Sequence, residues 1–142
     1  MGHRYPAYRY EVGAEKLREY MTATALDGDD LAGALAADPP DVAPAGFAAC
    51  FTIARGLQIL FSDAELGLRA SLVHTAQSFE FHRPVRRGDV LDCTASIADI
   101  AVRERLELLT VQIDCVEAVT GAAVVTSRGT LTVLQREDQA DA

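Results

Sequence analysis

The spacing of hydrophobic residues changes about halfway along the chain. Within residues 14–26, apolar side chains recur at intervals of three and four (Leu17, Tyr20, Met21 and Ala25), which predicts an amphipathic helix. Residues 45–61 are apolar on nearly every side, which predicts a second, buried helix, and Pro44 suits its first turn. From residue 71 onward, apolar and polar residues alternate, and a period of two predicts β-strands.

The second half of the chain is expected to form long antiparallel strands with one buried and one wetter face. The alternating segments are 72–82, 91–97, 109–115 and 128–133. Thr120-Gly121 and the polar stretch Arg103-Glu104-Arg105 mark turns between strands. Tyr8–Val12 is a further short β-prone run, and the turn-rich, acidic residues 27–42 predict a surface loop.

One long apolar helix followed by about four antiparallel strands predicts an α+β fold. Because nothing else in the chain can cover an apolar helix on several sides, the sheet is expected to curve around it, as in a hot-dog fold. We expect one domain over residues 1–135 and a flexible tail over 136–142, whose residues are charged and small. A single layer of this kind leaves a sheet edge or part of the helix exposed, which predicts a dimer.

Composition narrows the class of partners. The chain has 142 residues, 49% of them hydrophobic, and 13 basic against 21 acidic residues give a net charge of −8. This balance argues against binding to nucleic acid or to anionic membranes, which both require clustered Lys and Arg. The N-terminus lacks the apolar core of a signal peptide, and residues 45–61 fall short of the roughly 20 residues that span a bilayer.

The cysteines predict a protein of the reducing cytoplasm. Cys50, Cys93 and Cys115 are odd in number, widely separated and form no C-x-x-C pair, so we interpret them as small core residues. The aspartate-rich run 27–30 lacks the spacing and terminal Glu of a calcium loop. We therefore expect neither a metal nor another cofactor.

Residues 73–91 (VHTAQSFEFHRPVRRGDVL) resemble the strand–turn–strand signature of MaoC-like dehydratases. In that family a strand ends in an aromatic residue and His, then Pro follows, and Gly-Asp opens the next strand. Ala43-Pro44 with Phe47 is similar to the start of the family's central helix, and Tyr10-Glu11-Val12 fits its N-terminal part. The resemblance is strongest to the N-terminal branch that includes the non-catalytic subunit of (3R)-hydroxyacyl-ACP dehydratases. It implies action on (3R)-hydroxyacyl thioesters, on ACP or CoA, in fatty-acid or polyketide biosynthesis.

The chain departs from this family at its catalytic pair. Active members carry Asp or Asn with a His five residues later, before the central helix, and dehydration needs such an acid and base. The positions five residues after Asp27, Asp29 and Asp30 are Ala32, Ala34 and Leu35, and no His lies between residues 3 and 74. We therefore assign no catalytic residue, and expect a homodimer or a heterodimer with a catalytic hot-dog subunit that supplies the pair.

Two groups of residues are candidates for binding. The start and apolar stripe of the predicted central helix would line an acyl channel, although such a stripe would also serve as plain core: Pro44, Gly46, Phe47, Cys50, Phe51 and Ala54. Free backbone N–H groups near Gly46 would polarise a thioester carbonyl. Arg83, Arg86 and Arg87 would bind the phosphate of a pantetheine arm or an acidic carrier protein, or else balance Glu80 and Asp89.

The histidines and the overall activity leave alternatives open. His74 and His82 lie eight positions apart on one predicted strand and are expected to share a face, as substitute bases or with ordinary contacts. One alternative function is a non-catalytic homodimeric protein that binds acyl groups or other ligands. Another is a hot-dog thioesterase with a carboxylate-activated water, which an Asp or Glu on the central helix would favour. Residues 45–61 contain neither.

Overall fold

The computed structural model describes residues 2–24, 38–64 and 72–134. The elements are β1 (Tyr8–Glu11), α1 (Ala14–Ala23), a 3₁₀ helix (Ala45–Cys50), α2 (Ile53–Ser62), β2 (Leu72–Phe81), β3 (Val90–Arg103), β4 (Leu106–Glu117) and β5 (Ala123–Leu134). Most of the predicted acidic loop and the predicted C-terminal tail lie outside the described residues.

The described strands form one antiparallel five-stranded sheet in the order β1-β3-β4-β5-β2. All four predicted strands and the short N-terminal run are present, and the α+β class is confirmed. Glu104 (φ 54°) lies in the turn between β3 and β4, and Gly121 (φ 73°) lies in the turn between β4 and β5. The alternation of apolar and polar residues correctly predicts the buried face of β3, which carries Leu91, Cys93, Ala95 and Ile97. β1 and β2 are the two edges of this sheet.

The prediction of one continuous helix over 45–61 is wrong. The chain forms a 3₁₀ helix, turns at Phe51 and Thr52, and continues as α2. The Thr52 hydroxyl donates to the carbonyl of Ala48 at 2.8 Å, and the Phe51 carbonyl accepts a hydrogen bond from the Tyr8 hydroxyl of β1. These contacts hold the turn while Phe47 and Phe51 are both placed in the core.

Burial of this segment is one-sided, which corrects the prediction that the helix is buried on nearly every side. Phe47, Phe51 and Leu60 are fully buried, whereas Ala54 is exposed and Phe61 is 52% exposed. Gly56 allows α2 to lie close to the sheet, because a Cβ there would come within 2.6 Å of the Ile113 Cδ1. Contrary to the expectation that this segment is too short to span a bilayer, Ala45–Ser62 is long and apolar enough by length and composition alone, but its inner face packs in the core here.

Candidate functional site

A narrow cavity of about 30 Å³ lies between α2 and the inner face of the sheet. Its helix side includes the apolar Ile53, Leu57 and Leu60 and the buried Thr52, whose hydroxyl donates to Ala48. Its sheet side adds three polar side chains, His74, Gln77 and Ser127, next to Val111, Ile113 and Leu131. Among the lining residues only His74 is exposed, so the cavity opens at β2, an edge strand of the sheet.

A bulge in β2 brings His74 and Gln77 to the same side. The pairing with β5 shifts between His74 and Ala76, so Thr75 is an extra residue in the strand. His74 pairs with Leu131 and Gln77 with Gly129, both of which line the cavity. In a regular strand, residues three apart point to opposite faces.

The same bulge separates the two strand histidines. The His82 Nε2 lies 3.1 Å from the Thr126 hydroxyl, which in turn donates to the Asp114 carboxylate at 3.2 Å. Thr126 adjoins the inward-facing Ser127 on β5, so its side chain points to the other face of the sheet. The expectation that His74 and His82 share a face is therefore wrong, because the bulge reverses the alternation between them.

Hydrogen bonds connect the three polar side chains on the sheet side of the cavity. The Gln77 Nε2 donates to the Ser127 Oγ at 2.7 Å and to the Ser78 carbonyl at 3.1 Å. The Gln77 Oε1 lies 3.1 Å from the His74 Nε2 and can only accept, so this nitrogen carries the hydrogen. Gly129 leaves the space for the group, since a Cβ there would lie 2.7 Å from the Gln77 Oε1.

None of the six predicted acyl-binding residues lines this cavity. Phe47 and Phe51 are fully buried core residues whose rings lie 6.1 Å apart. Cys50 and Pro44 are half-buried, burial raises the pKa of the Cys50 thiol, and Ala54 is exposed. Their role in acyl binding stays a prediction.

The absence of a side chain at Gly46 has a structural explanation. The Tyr20 hydroxyl of α1 occupies the space that a Cβ at Gly46 would fill. The Tyr20 ring also packs edge-on against Phe47, with ring centroids 5.6 Å apart. The close approach at Gly46 is therefore made by α1 of this chain, rather than by open space for a ligand.

The three arginines of the predicted basic cluster have different surroundings. Arg83 forms a two-pronged ion pair with Asp89 at 2.8 and 3.2 Å, and the pKa of Arg83 is raised by this hydrogen bond. Arg87 donates to Asp41 at 2.8 Å. The Arg86 side chain is exposed and has no partner within the described ranges, while its backbone N–H donates to Asp89.

An open groove of about 460 Å³ lies beside this cluster, at the end of β2. One side is lined by the start of the 3₁₀ helix, including Ala45, and the other by the end of β2 and the β2–β3 turn, including Phe81 and Arg83. Contact of the three arginines with a carrier or its phosphopantetheine stays a prediction. The groove has room for such a group, and Arg83 is one of its lining residues.

The buried thiols are part of the core. Cys93 and Cys115 are paired directly across β3 and β4, and both are buried and unbridged. Their mutual hydrogen bond, together with burial, raises the pKa of the Cys115 thiol. Across the described ranges, no three His, Cys, Asp or Glu side chains converge as metal ligands would.

The cavity cluster is the part of the site that the sequence pattern did not reveal. His74 was expected on the same face as His82, and Gln77 and Ser127 were not singled out. One signal was available in Gly129, because a glycine inside a strand often marks a place where another group approaches closely.

Comparison with known proteins identifies relatives of this chain. The family model of the FAS1-like dehydratase domain region matches residues 1–127. A UPF0336 protein of Saccharopolyspora erythraea is 35% identical over 137 residues, which cover 92% of this chain and 86% of the relative.

Solved structures extend the comparison to the fold. A chain of the C-terminally truncated HadBC (3R-hydroxyacyl-ACP dehydratase) complex of Mycobacterium tuberculosis is 25% identical, with a TM-score of 0.70 over 92% of this chain and 95% of that one. A MaoC-like dehydratase is 26% identical, with a TM-score of 0.74 over 97% of this chain and 43% of that one. These similarities confirm the hot-dog fold.

Proposed function

Because the chain belongs to the FAS1-like dehydratase family of MaoC-like hot-dog proteins, we propose that it is a subunit of an acyl-thioester dehydratase. The substrate is a (3R)-hydroxyacyl thioester of ACP or CoA, in cytoplasmic fatty-acid or polyketide biosynthesis. This chain contributes the acyl-binding cavity, and a second hot-dog subunit contributes the Asp-x-x-x-x-His pair that this chain lacks.

The observation that carries the proposal is the position of the cavity mouth. The cavity opens beside His74 on β2, which is an edge strand with no neighbour on its outer side within the described residues. A second subunit that pairs with β2 would both extend the sheet and cover the mouth. The volume of about 30 Å³ is far below the ~300 Å³ or more of common ligand pockets, so an acyl chain needs a site that the partner completes.

The chemistry of the lining supports the division of labour. Dehydration removes a proton from the carbon next to the thioester carbonyl and protonates the departing hydroxyl, so it needs a base and an acid. His74 is the imidazole that lines the cavity, and no carboxylate lines it in the described ranges. A binding role therefore suits this chain, and the acid–base pair is assigned to the partner.

The HadBC dehydratase is itself a complex, and one of its chains is similar to this one over nearly the full length of both. This supports a heteromeric assembly. For the carrier, the open groove beside the β2–β3 turn offers space, and Arg86, whose side chain is exposed, is better placed to reach a phosphate than Arg87, which donates to Asp41, or than Arg83. The guanidinium fork of Arg83 is occupied by Asp89.

The test is co-expression with a hot-dog chain of the same genome that carries Asp-x-x-x-x-His. We expect a stable heterodimer that hydrates a crotonyl or longer enoyl thioester, and negligible hydration by either chain alone. Replacing the partner's catalytic His with Ala should lower the rate by roughly 10²–10⁴-fold. Activity of this chain alone that survives His74→Ala with His82→Ala would overturn the proposal.

A non-catalytic homodimeric ligand-binding protein is the second candidate, because the free β2 edge fits a second copy of this chain equally well. This second candidate would be favoured if the chain forms a homodimer that does not bind the catalytic partner and that binds acyl thioesters without turnover. The thioesterase alternative has no such support, since residues 45–61 carry no Asp or Glu.

A further inference from the structure

We infer that Ser127 is a hydrogen-bond donor that binds an oxygen atom of the acyl ligand, and that Gln77 and His74 are positioning residues for its hydroxyl. This inference rests on the proposed acyl-thioester function and names the contact that the cavity makes. It gives a largely apolar cavity a point of chemical selectivity.

The direction of the hydrogen bonds leads to Ser127. Both hydrogens of the Gln77 amide are used, one on the Ser78 carbonyl and one on the Ser127 Oγ. The Ser127 oxygen therefore accepts from Gln77, and its own hydrogen points elsewhere. Ser127 is 2% exposed, lines the cavity, and has no acceptor for that hydrogen within the part of the chain that the structure describes. The donor is thus presented to the cavity.

The chain of donors strengthens this presentation. The His74 Nε2 donates to the Gln77 Oε1, Gln77 donates to Ser127, and Ser127 donates into the cavity. Hydrogen bonds that run in one direction polarise one another, so the terminal hydroxyl becomes a better donor than an isolated serine. A ligand that brings only methylene groups to this point leaves the buried donor unpaired, which disfavours its binding.

Two irregularities in the strands serve the same cluster. The bulge at Thr75 is needed to bring His74 to the inner face beside Gln77. Gly129 is needed because any Cβ there would approach both the Gln77 Oε1 and, at 3.3 Å, the His74 Nε2. A bulge interrupts the hydrogen-bond ladder of a sheet, and a glycine weakens a strand. Neither feature stabilises the sheet, so both are better explained by the cluster that they make room for.

The experiment compares three ligands that share one chain length. Octanoyl-CoA has a thioester carbonyl, S-octyl-CoA is a thioether without it, and (R)-3-hydroxyoctanoyl-CoA adds a hydroxyl. Titration calorimetry on the full chain, in complex with a partner whose catalytic His is replaced by Ala so that the hydroxyacyl ligand is not turned over, should show tighter binding of an oxygen-bearing ligand by about three- to tenfold. A preference for octanoyl-CoA over the thioether identifies the carbonyl as the bound oxygen, and a preference that appears only with the hydroxyacyl ligand identifies the hydroxyl.

Variants then test the assigned atoms. Ser127→Ala should abolish the preference, and so should Gln77→Glu, because a carboxylate accepts the Ser127 hydrogen and turns it away from the cavity. Ser96→Ala is the matched control and should keep the preference, since Ser96 lies on β3 and does not line the cavity. Each preference is a ratio within one variant, so a general loss of stability does not imitate the result.

The outcomes separate the two proposals. If the wild type binds none of the three ligands, the proposed function fails, and this inference fails with it. If it binds all three equally, or if Ser127→Ala keeps the preference, acyl binding stands and the role of Ser127 is overturned.

Discussion

The two edge strands of the sheet, β1 and β2, differ in length and in how far the rest of the chain covers them. At the β1 edge, the strand has only four residues, and residues 2–5, which precede it in the chain, extend its backbone pairing with β3. The Tyr8 side chain points inward and donates to the Phe51 carbonyl. Burial raises the pKa of the Tyr8 hydroxyl. At the β2 edge, ten residues run along the sheet with a bulge, exposed Val73 and Phe81, and a cavity mouth.

This contrast separates stability from function. Natural proteins shorten or cover the sheet edges that must not associate, and a long uncovered edge invites pairing with another chain. The β1 edge is tied to the core of the same chain, whereas the β2 edge carries the cavity and its polar cluster. We therefore expect changes near β1 to affect folding, and changes along β2 to affect association and ligand binding.

The largest expected effect is on folding, at the residue that joins β1 to the core. Phe51→Ala should lower the free energy of unfolding by about 3–5 kcal/mol, because it leaves a cavity next to the rings of Tyr10 and Phe47. Denaturant unfolding measures the change. Phe61→Ala is the control and should change stability by about 0.5 kcal/mol or less, since Phe61 is largely exposed. Equal losses in both variants would contradict the assignment of Phe51 to the core.

The next effect is on association, at the open edge. Val73→Lys should weaken binding to the second subunit by roughly tenfold or more, because a lysine on an edge strand opposes pairing. Sedimentation analysis of the complex measures it. Val102→Lys is the matched control, since Val102 is 62% exposed on β3, which β4 and β5 separate from β2, and should leave association unchanged. If only Val102→Lys weakens the complex, the interface involves β3 rather than the β2 edge.

A third change separates ligand selectivity from stability within β5. Gly129→Ala should shift the Gln77 side chain, whose Oε1 would lie 2.7 Å from the new Cβ, and remove the preference for oxygen-bearing ligands. Because a flexible side-chain end is displaced, the free energy of unfolding should change by less than about 1 kcal/mol. Calorimetry with octanoyl-CoA and S-octyl-CoA, alongside thermal unfolding, measures both. A variant that keeps the full preference would show that the cluster tolerates the methyl group.

The smallest expected effect is at the surface of the β1 edge. Arg9 donates to Asp92 and holds the pKa of that carboxyl below its usual range, so the pair stabilises the fold above that range and loses its effect as the pH falls through the lowered pKa. Arg9→Ala should raise the pKa of Asp92 toward its ordinary value, as measured by NMR titration. An unchanged pKa would show that another group controls this carboxyl.

Much of the fold was predictable because its signals are local. The period-two pattern identified the strands, and Thr120-Gly121 and Arg103-Glu104-Arg105 identified two turns, since these depend on neighbouring residues. The break at Phe51 and Thr52 was not predictable in this way, because the Phe51 carbonyl is held by Tyr8, 43 positions away in the sequence.

The candidate site depended even more on long-range contacts. His74 and His82 were visible in the sequence, but the bulge that places one inside and the other outside arises from the pairing of β2 with β5. Gln77 and Ser127 are 50 positions apart and meet only across that pair of strands.

The sequence by itself determined the α+β class, the antiparallel strands and the lack of an Asp-x-x-x-x-His pair, because these follow from residue type and spacing along the chain. The tertiary structure alone decided which polar groups meet in the cavity and which edge stays open. Strand register and side-chain direction are properties of the assembled sheet, and a shift of one residue in pairing exchanges the inner and outer faces.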